Sequence, residues 1–98
     1  MGLPVILTPQ ALEDLQQIVS FIARDNPGRA QSFGNELIDK ALSLANLSER
    51  GRITPELNDE GVREIVHGLY RIIYETLPDK IYVLRFWHGA RGEPAISK

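Results

Sequence analysis

Apolar positions recur along this chain with two periods, and the change from one to the other divides it into a helical half and a strand half. Leu3 to Leu7 is a short apolar run broken by Pro4, which predicts a starting or edge strand. Thr8-Pro9 then predicts a helix start: a threonine cap followed by proline where its missing N–H costs nothing. Leu12, Leu15, Ile18, Val19 and Ile22 follow as one stripe, and the helix should end near Arg24-Asp25. Asn26-Pro27 repeats the start signal. Ala30, Phe33, Leu37, Ala41 and Leu44, flanked by Ile38 and Ala45, then share one face of a second helix. Glu36 and Lys40 are spaced for an i,i+4 pair worth about 0.3 kcal/mol. With only Asp25 and Asn26 between them, the helices must fold back as a hairpin.

Ser48 to Gly61 holds Gly51, Pro55, Asn58, Asp59 and Gly61, which predicts a loop without a regular element. It is long for a compact domain, and long ordered loops are often functional. Val62 to Val66 reads as a strand, His67-Gly68 as a tight turn, and Leu69 to Leu77 as the returning strand. Pro78-Asp79 turns the chain again, Ile81 to His88 forms the last strand, and the tail after Gly89 has little to hold it. The order is β-α-α-β-β-β. An α+β fold follows, in which the helical hairpin packs on a small, mainly antiparallel sheet.

Composition narrows the class without naming it. The 98 residues, 43% hydrophobic and 24% charged, predict a single domain over residues 1–98 with one core. No apolar run approaches the roughly 20 residues of a membrane helix, so no membrane role is expected. The absence of cysteine excludes disulfides and thiol chemistry and fits a cytoplasmic protein. No His/Asp/Glu group has ligand spacing and no glycine-rich phosphate loop is present, so neither metal nor cofactor is expected.

Net charge is −2, unevenly spread: residues 1–61 carry nine acids and five bases, residues 62–98 four acids and six bases. The strand half is therefore where an anion would be met, although a pI near 5.6 argues against nucleic acid as the main ligand. Arginines sit inside strands otherwise built of Val, Ile, Leu and aromatics, where charge is usually depleted. Arg71 reads either as a phosphate clamp or partner contact, or as a sheet-face arginine paired with Glu64 or Glu75. Arg63 and Arg85 read as solvated or partner-contacting residues, and Arg91 lies beyond the strand. His67 sits in a turn and reads as exposed. Trp87 is a core residue or, if exposed, a partner hot spot.

The stretches Leu69-Tyr70-Arg71-Ile72-Ile73-Tyr74 and Val83-Leu84-Arg85-Phe86-Trp87-His88-Gly89-Ala90-Arg91 resemble the RelE/ParE superfamily. These are the toxins of bacterial type II toxin–antitoxin pairs, also called plasmid stabilisation proteins. The similarity covers nearly the whole chain and implies two activities. RelE-like members are ribosome-dependent messenger RNA endonucleases; ParE-like members share the fold and inhibit DNA gyrase. Carried over by motif, the middle-strand arginine of the nuclease branch is Arg71 and the late arginine is Arg91, with His88 as acid or base. The lysine positions of that branch fall near Val62 and Glu64, where a carboxylate would repel phosphate, and no tyrosine follows Arg91.

The resemblance therefore implies a ParE-like toxin that inhibits gyrase by protein contact and forms a hetero-oligomer with its antitoxin. Arg63, Arg71, Arg85, Trp87 and Arg91 are the expected contacts to target or antitoxin, and no residue is assigned catalysis. The alternative is a RelE-like nuclease acting on the ribosome and its mRNA through Arg71, His88 and Arg91. A toxin remnant that only binds its antitoxin is the third reading.

Overall fold

Two helices lie on one face of a five-stranded sheet in the order β1-β5-β4-β3-β2. The computed structural model describes residues 2–46 and 50–96. Strand β1 (Val5–Leu7) leads into α1 (Pro9–Ala23) and α2 (Pro27–Leu42), followed by β2 (Arg52–Ile53), β3 (Val62–His67), β4 (Tyr70–Thr76) and β5 (Ile81–His88). β1 runs parallel to β5 and every other pairing is antiparallel.

Local chemistry sets the helix boundaries as the cap signals predict. Thr8 Oγ1 accepts from the Ala11 N–H at 3.2 Å, and Asn26 Oδ1 accepts from the Arg29 N–H at 3.0 Å. Thr8 also donates to the Val83 carbonyl at 2.9 Å, so one hydroxyl caps α1 and ties it to the sheet. The hairpin closes tightly at Gly34, where a Cβ would stand 2.9 Å from Val19 Cγ2. Gly68 takes φ 61° at the first position of the two-residue β3–β4 turn, where a hairpin favours positive φ.

The main core lies between the helices and the sheet: Ile18, Leu37, Ala41 and Leu44 meet Ile72, Tyr74, Ile81, Val83 and Phe86. On the opposite face Val62, Ile73, Leu84 and Trp87 form a smaller cluster covered by Tyr82 and Ile96. Among the described residues no helix covers this face.

Several expectations are corrected. The loop from Ser48 to Gly61 contains β2, whose two residues pair with Arg63 and Glu64; Ser48 itself lies outside the described residues. In α1, Leu12 is 48% exposed while Ala11, Asp14 and Ile18 point inward. The helix is rotated from its most apolar stripe because Asp14 has an internal partner. Glu36 turns to Arg29 at 2.6 Å and His67 at 3.0 Å rather than to Lys40. His67 consequently closes β3 against α2, with its ring 5.7 Å from Phe33, instead of standing free in a turn. The tail is held as well: Gly92 and Ala95 carbonyls accept hydrogen bonds from Trp87 and Arg85, and Pro94 is buried.

Candidate functional site

Charge gathers on the helix-free face. Successive residues of a strand point to opposite faces, so Arg71, Ile73 and Glu75 of β4 share this side with Glu64 of β3 and Trp87 of β5. The Glu64 side chain is 0% exposed and lies between two arginines. It accepts from Arg52 Nε at 2.7 Å and from Arg71 Nε at 2.9 Å, with a further short contact to Arg71 Nη2. Glu56, reaching over from the turn after β2, takes the other side of the same guanidinium, at 2.6 Å from Nη2 and 3.2 Å from Nη1. Donating to Glu56, and then to Glu64, raises the Arg71 pKa further, and Arg71 holds Glu56 below the usual carboxylate range. Buried charges are retained only when paired and hydrogen-bonded, and this network meets that condition.

Arg85, expected at a contact surface, is instead internal. β5 carries an extra residue at Leu84, since Ile73 pairs with Arg85 while Tyr74 pairs with Val83. Such a bulge re-aims a neighbouring side chain. Arg85 reaches Asp14 through a fork, Nε to Oδ2 at 2.7 Å and Nη2 to Oδ1 at 2.8 Å, and donates to the Ala95 carbonyl at 2.7 Å. Asp14 Oδ2 also accepts from the Phe86 N–H at 3.1 Å. β1 pairs with Ile81 to Val83, so among the described residues the rest of β5 has no strand on that side, and the aspartate satisfies the edge in its place. The Asp14 hydrogen bond raises the Arg85 pKa.

Trp87, another expected contact, is buried on the helix-free face. Its indole N–H donates to the Gly92 carbonyl at 3.0 Å, with the Arg91 and Arg85 guanidiniums 4.0 and 4.9 Å from the ring. Of these three side chains, only that of Arg91 is exposed. Arg63 donates to the Gly51 carbonyl at 3.0 Å and braces the start of β2.

His88 lies on the helix side, directly opposite Tyr70, with the two rings edge to face at 5.0 Å. Its Nδ1 accepts from the Ala90 N–H at 3.0 Å and caps the 3-10 turn Gly89–Arg91. The trio of the nuclease reading is thus divided. His88 lines a groove on the helix side, whereas Arg71 is on the opposite face of the sheet; Arg91, at the end of β5, borders that groove and lies over Trp87. Among the described residues no group of three or more His, Cys, Asp or Glu gathers to hold a metal ion.

That groove, of about 410 Å³, lies at the open end of β5. Ile18 and Phe21 of α1 face Tyr70 and Phe86 across it, with His88 and Arg91 at the mouth. Phe21, which lines the groove, is 67% exposed. Burial raises the Tyr70 pKa. Sequence reasoning passed over Asp14, Phe21 and Glu56. An aspartate between Ala11 and Ile18 on an otherwise apolar stripe was the one available signal for Asp14. Nothing local distinguishes Glu56.

Comparison with known proteins adds the family. A family model described as the ParE toxin of the type II toxin–antitoxin system, parDE, matches residues 5–92. No curated protein matches by sequence. Among solved structures, a chain of a chromosomal ParDE toxin–antitoxin system from P. aeruginosa is 18% identical, with a TM-score of 0.74 over 89% of this chain and 96% of that one. A chain of the RelBE2 toxin–antitoxin complex from Mycobacterium tuberculosis is 21% identical, with a TM-score of 0.68 over 90% and 99%.

Proposed function

Since the chain belongs to the ParE toxin family of type II toxin–antitoxin systems, we propose that it acts as a gyrase-directed toxin, working by protein contact and held by a cognate antitoxin. The observation that carries the choice of target is the state of Arg71. A nuclease needs positive groups preorganised around the developing phosphate charge. Here the candidate guanidinium is bound to two carboxylates and is only 14% exposed. The separation of Arg71 from His88 by the thickness of the sheet supports the same reading.

The groove between α1 and β5 suits an apolar antitoxin side chain. Covering one exposed phenylalanine is worth about 1.5–3 kcal/mol, or roughly tenfold to a hundredfold in affinity. Phe21→Asp should therefore release the antitoxin on co-purification without unfolding the toxin, because that side chain is not part of the core.

Two assays on the purified wild-type chain test the target. Gyrase supercoiling should be inhibited in a dose-dependent way, and primer extension on a reporter transcript after induction should reveal no codon-dependent cuts. Cuts that disappear in Arg71→Ala or His88→Ala would replace this reading with the nuclease one.

A further inference from the structure

We propose that Glu56 is a specificity-determining residue that closes a latent phosphodiester site formed on the helix-free face by Arg71 and Arg52. An arginine fork binds carboxylate and phosphate with the same planar geometry, so a carboxylate seated on it excludes a phosphate. Arg71 has five N–H donors. Its Nε and Nη2 serve Glu64, and its Nη1 and Nη2 serve Glu56.

The two carboxylates are not equivalent. Glu64 stands in β3, its side chain fully buried, and accepts from Arg52 and Arg71 together, so it is the fixed half of the site. Glu56 belongs to a turn closed by the Leu57 and Asn58 N–H groups on the Thr54 carbonyl, with its side chain 24% exposed. It is the half that can leave.

The charge balance changes accordingly. Arg52 and Arg71 against Glu56 and Glu64 sum to zero; without Glu56 the same group carries one positive charge. Arg52 is already 65% exposed at one end of the face. At the other, Arg91 lies over Trp87, which pairs directly with Arg71. Three arginines therefore run across β2, β4 and the end of β5, matching a chain of repeated anions better than a single one. The glutamate at 56 neutralises the centre of this row. The inference concerns which ligands the fold rejects and does not rest on gyrase being the target.

Glu56→Ala, on the loop and outside the core, tests it against a labelled 20-nucleotide single-stranded RNA by fluorescence anisotropy. The variant should bind at least tenfold more tightly than the wild type at low salt. Its affinity should also fall more steeply with salt, the log–log slope growing by about 0.7 for each added phosphate contact. Adding Arg71→Ala should abolish the gain. Equal binding by wild type and Glu56→Ala, or a gain that survives Arg71→Ala, would overturn the assignment. Circular dichroism of all three proteins keeps loss of folding distinct from loss of binding, and the supercoiling assay on the wild type is independent of either result.

Discussion

Replacing Asp14 with alanine removes an acceptor that three N–H groups share. Two belong to the Arg85 fork at 2.7 and 2.8 Å, and the third is the Phe86 backbone N–H at 3.1 Å. The side chains of Asp14 and Arg85 are 5% and 11% exposed, so solvent screens the pair little. Breaking a buried pair by deleting one partner costs about 3–5 kcal/mol. Arg85 keeps the Ala95 carbonyl and its position over Trp87, which puts the loss at the lower end of that range, about 3 kcal/mol. For a domain of this size that corresponds to a fall in Tm of about 12–24 °C. Guanidinium denaturation followed by far-UV circular dichroism measures it without relying on Trp87, which Arg85 touches. Asp14→Asn retains an acceptor for Phe86 and should lose less than Asp14→Ala. Arg85→Ala combined with Asp14→Ala should reveal a coupling of about 2 kcal/mol or more. A loss below about 1 kcal/mol in Asp14→Ala would refute the argument, because that is the scale of an exposed ion pair.

Gly51→Ala should destabilise by about 2 kcal/mol or more, read by the same denaturation curve, since its Cβ would stand 2.5 Å from both the Glu64 carbonyl oxygen and the Tyr74 hydroxyl. A hydroxyl that also accepts from the Gly51 N–H at 3.0 Å cannot retreat without losing that bond. Glu56 is held below its ordinary pKa of 4.5 chiefly by its hydrogen bond to Arg71, and Glu36 likewise by Arg29 and then His67. Folded pKa values that lie below the unfolded ones make a contribution present above pH 4.5 and lost as pH falls through the lowered values. Glu56→Gln should therefore be less stable than wild type at pH 7, and the gap should narrow as pH falls below 4.5, as urea titrations at neutral and acid pH would record.

How far the fold could be read in advance follows the range of the interactions involved. Thr8-Pro9 and Asn26-Pro27 announced their helices because a cap acts across three residues. The hairpin at Gly68 was legible for the same reason, and the family resemblance rested on the strands flanking it. β2 was not, because two residues carry no period and exist as a strand only through pairing with Arg63 and Glu64. The Arg85 environment was hidden by the bulge at Leu84, a matter of register between two strands. The tail looked unsupported because its anchors are backbone carbonyls, which any sequence supplies. At the charged site, the Arg71–Glu64 pairing was among the readings that cross-strand position allowed. Its second carboxylate was not, since the turn that brings Glu56 there closes only after β2 has paired.

Asp14 and Arg85 stand 71 positions apart yet share one fork of hydrogen bonds, so a functional chain should inherit them together. A relative without an arginine at the position of Arg85 that took this first helix would receive an aspartate with no guanidinium to meet it, and the open end of β5 would be left against an unmatched charge. Recombination between members of the family should therefore be tolerated where both segments travel together and penalised where a crossover falls between them. A library of chimeras, sorted by soluble expression, would record that bias as a paired requirement at positions 14 and 85.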